Sequence, residues 1–211
     1  MIWPFIAAGD NGHRPHSVPL FPLRTVLFPG GLLPLKVFEQ RYIDMTKTCL
    51  VRSSPFGVCL ITKGDEVGAA HGAPAEFHPI GTLARITDWD MPQLGILHIK
   101  TLGESRFQIQ GHSVEQSGLI IGNVTPISPE PQIPLTEPFA PLARLLELIA
   151  GRIGPQNFPA AQDYGDSSWV SYRLSELLPL PLHIKQSMLE INDAAVRLKV
   201  LQQFLAQQGL L

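Results

Sequence analysis

The side chains of this 211-residue chain that could do acid–base, nucleophilic or metal chemistry include seven histidines, two cysteines and 18 acidic residues. Their spacing argues against most of it. Cys49 falls on the apolar face of a helical pattern and Cys59 inside a strand pattern, where a thiol serves as a small core hydrophobe. His71 and His78 flank an Ala/Gly/Pro-rich loop with Glu76 between them, the nearest approach to a metal site. Zinc asks for three or four ligands in a firm frame, and no CxxC or HExxH spacing supplies them. His13 and His16 sit in an amino-terminal leader. Asp88/Asp90 and Asp65/Glu66 are paired acids in loops with no general-acid partner. FPGGLLPLK (28–36) comes closest to a phosphate-cradling loop, but Lys36 has no second glycine before it and no Ser or Thr after it. GxSxG is absent, and Ser187 and Lys185, two apart on a helix, point to different faces. These residues predict no catalytic site, no metal and no cofactor.

Binding is the chemistry that remains. Arg24, Glu39 and Arg41 form a charged group that could grip peptide backbone and carboxylates, or could simply tie a strand to a helix, the commoner arrangement. Phe28, Tyr42 and Trp89 could line an apolar groove, although aromatics at helical or strand spacing usually belong to a core. Trp89 has the best claim to exposure. It lies between Asp88 and Asp90 in a polar stretch and would suit an anchor for a partner.

The elements that must position these residues follow from periodicity. Extended runs at 18–23, 32–37, 56–62, 80–87, 95–101, 105–110 and 118–127 read as short strands. Alternation is clearest where Leu97 and Ile99 oppose His98 and Lys100, and where Phe107 and Ile109 oppose Gln108 and Gln110. Pro19, Pro22 and Pro34 should place their strands at edges or bulges, since proline cannot donate to a ladder. Phe38, Tyr42, Met45 and Cys49 make one face of a helix that stops at Ser53-Ser54-Pro55. Asp88–Pro92 reads as a hairpin loop. Prolines at 126, 129, 131, 134 and 138 make a stiff connector. Beyond it, Leu142, Leu145, Leu146, Ile149 and Ile153 form a helical stripe ended by Gly154. A short helix capped by Asp166 or Ser167 follows, then a short and a long helix broken at Asn192-Asp193. The expected organisation is a leader (1–17), a β unit (18–127), the connector (128–138) and a helical bundle (139–211).

Composition agrees with a globular chain: 45% hydrophobic and 16% charged, with a net charge of −2. No basic surplus exists to neutralise many phosphates, so nucleic acid is not an expected partner. Two cysteines suggest a reduced compartment. The start, MIWPFIAAGD, has no basic region ahead of its apolar run, and no apolar stretch approaches the ~18 residues of a membrane span. A cytoplasmic location is expected.

The ordered set of motifs resembles the amino-terminal, substrate-binding domain of the Lon protease family. VPLFPLRTVLFPGGLLPLKVFEQRYIDM (18–45) is similar to its opening strand, Phe-Pro-Gly turn and Pro-Leu strand entering a helix. GTLARIT (81–87) and SRFQIQ (105–110) resemble its Gly-Thr-x-Ala-x-Ile and Arg-Phe strands. LPLPLHIKQSMLEINDAAVRLKVLQQFL (178–205) resembles its closing helices. The resemblance implies an α+β fold, a small PUA-like β pseudo-barrel followed by an α-helical bundle. It also implies a non-catalytic module that binds protein or peptide clients, in extended or partly unfolded segments. The protease's ATPase and peptidase have no counterpart before the chain stops at Leu211. RNA or small-molecule binding is the alternative that a PUA-like fold allows by analogy.

Overall fold

The structure is a computed structural model that describes residues 15–64 and 76–209. Among these, the first half is built from β1 (His16–Leu23), β2 (Leu32–Val37), helix α1 (Gln40–Arg52), β3 (Phe56–Lys63), β4 (Glu76–Phe77), β5 (Ile80–Gln93), β6 (Ile96–Val114) and β7 (Ile120–Pro126). Strands pair in the order β1-β7-β6-β5-β3, and β1 also pairs with β3, in parallel, which closes a five-stranded barrel. Leu20 and Phe107 are fully buried within it. Glycines make room for them: a Cβ at Gly57 would lie 2.7 Å from Leu20, and one at Gly81 would lie 2.7 Å from Phe107. A barrel this narrow is filled by side chains.

The prolines of β1 tell a different story from the expected one. β1 is no edge strand. It pairs with β7 over His16–Leu20 and with β3 over Leu20–Leu23, so Pro19 and Pro22 each face a single partner strand and their missing N–H groups go unclaimed. Pro34 does lie on an edge, because β2 pairs only with β6 among the described strands. The leader expected over residues 1–17 gives up its last two: His16 and Ser17 are rungs of β1 opposite Val124 and Asn123, and residues 1–14 lie outside the described residues.

A second departure reshapes the surface. Asp88–Pro92 is strand, not loop. β5 runs on past the barrel, and the chain reverses at Leu94-Gly95, where Gly95 has φ +81° and Gln93 pairs with Ile96. Residues 87–93 are all exposed, and they stay in strand because a long partner stands beside them: β6 supplies 19 residues in one piece. Helix α1 starts at Gln40, so Phe38 falls outside it and is half exposed; Tyr42, Met45 and Cys49 are buried against the barrel, and Ser53 closes the helix with φ +50°.

After a coil at 127–136 come α2 (Ala140–Ile153), α3 (Ser167–Leu177), α4 (Leu182–Glu190) and α5 (Ala194–Gln207). Asp166 caps α3 by accepting from the Trp169 N–H at 2.8 Å, and Asp193 caps α5 by accepting from the Ala195 and Val196 N–H groups at 2.8 and 3.1 Å. The bundle and the barrel share a core: Val26, Phe28 and Leu60 pack among Leu142, Leu146, Leu174, Leu198, Leu201 and Leu205. No helix among the described residues is long and apolar enough to cross a membrane.

Candidate functional site

Two places on the molecule concentrate polar side chains. The first is a three-stranded platform, β2-β6-β5, that the extended β5/β6 hairpin carries beyond the barrel. Its rungs are Pro34–Lys100–Asp88, Leu35–Ile99–Trp89 and Lys36–His98–Asp90. Strand alternation puts the first and third rungs on one face and the middle rung on the other. A trough of about 540 Å³ runs across the platform. Acids line its β5 side and Lys36 its β2 side. Lys100 Nζ pairs with Asp88 at 3.0 Å, and this contact holds the Asp88 carboxyl below its ordinary range. Trp89 continues the row of Leu35 and the buried Ile99 into solvent, where it is 53% exposed. Met91 and Leu94 extend the exposed apolar surface toward the turn.

The second place is a clasp between barrel and bundle. Glu130, in the proline-rich connector, is buried against two arginines. Arg197 of α5 grips it with both terminal nitrogens, each at 2.6 Å, and stacks over the Tyr172 ring with 3.9 Å to its centroid. Tyr172 and Ser168 of α3 donate to Glu130 at 2.5 and 2.9 Å. Arg106 of β6 approaches Glu130 at 3.4 Å, donates to the Leu189 and Ile191 carbonyls at 2.8 and 3.3 Å, and bonds the Asn192 side chain. Arg197 also donates to Ser171 and to the Ile191 carbonyl. Burial alone would raise the Glu130 carboxyl; hydrogen bonds from Arg197, Tyr172 and Ser168, with the charge of Arg197, outweigh it and hold the group below its ordinary value. Every donor of Arg197 is used within the protein, so this arginine joins elements; a cleft of about 420 Å³ lined by Arg106, Glu130, Ser168 and Tyr172 opens beside it. Nearby, buried Arg173 donates to the Pro29 carbonyl at 2.9 Å and pairs with Glu176 at 3.1 Å, holding the Pro29-Gly30-Gly31 turn to α3.

The residues singled out from sequence scatter. Phe28 and Tyr42 are core, correcting their place in a groove: Phe28 is fully buried where barrel meets bundle, and Tyr42 stacks on Phe21 with ring centroids 3.9 Å apart. Glu39 and Arg41 pair with each other at 2.9 Å, and Arg41 donates to the Gly118 carbonyl, tying the start of α1 to the β6–β7 turn. Arg24 reaches the Gly64 carbonyl at the end of β3. Trp89 alone of the six joins the platform. Of the grouping His71, Glu76 and His78, His71 lies outside the described residues, as do His13, Asp65 and Glu66; His78 lies 3.6 Å from Glu190. Among the described residues no three His, Cys, Asp or Glu side chains gather as a metal site. Lys185 and Ser187 each donate to a backbone carbonyl, of Glu176 and His183. Sequence reasoning missed the clasp. Its one signal was an acid set between Pro129 and Pro131, in a stretch that read as a stiff connector.

A closed barrel is joined to a helical bundle, and the β5/β6 hairpin projects from it with an outer edge that no described strand pairs. The chain belongs to the LON substrate-binding domain family, since the sequence model of the ATP-dependent protease La (LON) substrate-binding domain matches residues 17–207. It is similar to Lon protease 2 of Myxococcus xanthus (27% identity over 90% of this chain and 24% of that protein). It is likewise similar to the Lon protease of Anaeromyxobacter dehalogenans (26% identity, 90% of this chain and 23% of that protein). The chain therefore spans about a quarter of these proteases. The crystal structure of a Lon N-terminal domain protein from Xanthomonas campestris superimposes with a TM-score of 0.70 at 34% identity, covering 89% of this chain and 98% of that one. The N-terminal domain of a Mycobacterium avium complex Lon protease shares the fold, with a TM-score of 0.60 at 19% identity.

Proposed function

We propose that this chain is a non-catalytic polypeptide-binding module that engages extended or partly unfolded protein segments through the β2-β6-β5 platform, and that it works in the cytoplasm. The observation that carries the reading is Trp89: a large aromatic, more than half exposed, standing on a strand whose outer edge no described strand pairs. A stiff aromatic offers contact area at little entropic cost, and strand edges supply backbone hydrogen bonds to any extended chain. Family membership supports a substrate-binding role, and the clasp supports it indirectly by giving the platform a firm base.

Titration with an unfolded, reduced protein tests it. The wild-type chain is expected to bind with a Kd below a millimolar, and Trp89→Ala is expected to weaken binding by about 2 kcal/mol, roughly 30-fold, with unchanged thermal stability. Equal affinity in the two proteins would remove the platform from the site, and no binding at millimolar client would remove the function.

A further inference from the structure

Pro34 decides which backbone groups of the platform are free. A proline has no N–H to give, so the Pro34–Lys100 rung is one whose β2 backbone groups face away from β6. Alternation then aims the N–H and C=O of His98 and Lys100 at β5, and those of Ile99 and Thr101 at β2. Two contacts agree: the Lys100 carbonyl accepts from Thr87 of β5 at 3.1 Å, and the Gly103 N–H donates to Gly31, just before β2, at 2.8 Å. On β5, Asp88 and Asp90 therefore turn their backbone inward, and Trp89 turns its N–H and C=O to the outer edge. Among the described strands none pairs with β5 there.

The two edges of the platform differ. An added strand on β2 would lose a rung at Pro34. An added strand on β5 meets the Trp89 backbone, with the Trp89 side chain on one face and the carboxylates of Asp88 and Asp90 on the other. Lys100 neutralises Asp88, but no cation of the described residues lies within ion-pair distance of Asp90, whose carboxylate accepts the Met91 N–H at 2.8 Å. A second copy of this chain fits badly, because two-fold antiparallel pairing about Trp89 would set each Asp88 opposite an Asp90.

We infer that the outer edge of β5 takes an extended polypeptide as an added strand, in a basic–apolar–basic alternation that sets the apolar side chain beside Trp89 and the basic ones beside Asp88 and Asp90. This rests on the polypeptide-binding reading above and specifies its ligand.

The test titrates the full chain with three eight-residue peptides: alternating Lys and Ile, alternating Glu and Ile, and the Lys/Ile peptide N-methylated at every second amide on the pairing edge. Amide hydrogen exchange is followed in parallel. The Lys/Ile peptide is expected to bind at least tenfold tighter than either of the others and to slow exchange across 85–93. Asp90→Lys should reverse the preference between Lys/Ile and Glu/Ile. Equal affinity for the three peptides, or protection confined to another surface, would overturn the edge assignment while polypeptide binding stood. Failure of the three peptides and of an unfolded protein client to bind would overturn both.

Discussion

Glu130→Ala is expected to destabilise the protein by about 3–5 kcal/mol, read as a fall in the urea midpoint, because it removes the shared counter-charge of two buried arginines. Arg197 is fully buried and Arg106 nearly so. With the carboxylate gone, Arg197 keeps Ser168, Ser171 and the Ile191 carbonyl as its acceptors and the Tyr172 ring beneath it, and its guanidinium is left without a counter-charge between α3 and α5. Glu130→Gln keeps the shape and one set of acceptor lone pairs, so it should cost less than the alanine variant. The same group makes the fold acid-labile. Its folded carboxyl titrates below the unfolded value of about 4.5, so it contributes stability that is complete above that pH and is lost as pH falls through the folded value. In Glu130→Gln this part of the acid transition should vanish. A Glu130→Ala protein as stable as the wild type would show that the clasp does not join the two halves.

Gly103→Ala is expected to cost about 3 kcal/mol, for a steric reason with no charge in it. A Cβ at residue 103 would stand 2.2 Å from the Phe28 carbonyl oxygen and 3.2 Å from Leu27. The backbone cannot retreat, because the Gly30 N–H donates to the Gly103 carbonyl and the Gly103 N–H donates to Gly31, each at 2.8 Å. These contacts hold the Pro29-Gly30-Gly31 turn where Arg173 reaches it, so the damage should spread into the barrel–bundle junction. Gly111→Ala on the same strand is the control. Nothing lies within 4 Å of its Cβ position and its φ is not positive, so the change should be neutral or mildly stabilising. Thermal melts of the two variants check the contrast; similar melting temperatures would rule out close approach at Gly103 as its reason for being glycine.

Much of this molecule could be read in its residues because the forces responsible are local. Period-two alternation marked two stretches, 95–101 and 105–110, that fold as the single long strand β6, an apolar stripe marked α2, and the pairs Asp166/Ser167 and Asn192/Asp193 marked the starts of α3 and α5, where the aspartate of each pair is the cap. The ordered motifs also carried the family, because turn and apolar patterns follow chain order. The failures share a different cause. Asp88–Pro92 looked like a loop because Asp and Pro disfavour strands, but pairing with a long β6 overrides that preference. Phe28 and Tyr42 looked available for binding because burial depends on what folds over a residue, and here the bundle covers Phe28 while Phe21 covers Tyr42.

Glu130 shows the limit most plainly: its partners lie 24, 42 and 67 positions away along the chain at Arg106, Tyr172 and Arg197. By itself the sequence determined most of the strands and helices, the places where α3 and α5 begin, and the family to which they add up, since each rests on neighbours a few residues apart. Tertiary structure alone decided that an acid in a proline-rich connector becomes the joint of the fold. It also decided that a tryptophan between two acids stands on an open strand edge, because strand pairing and charge burial are settled by residues that meet only once the chain has folded.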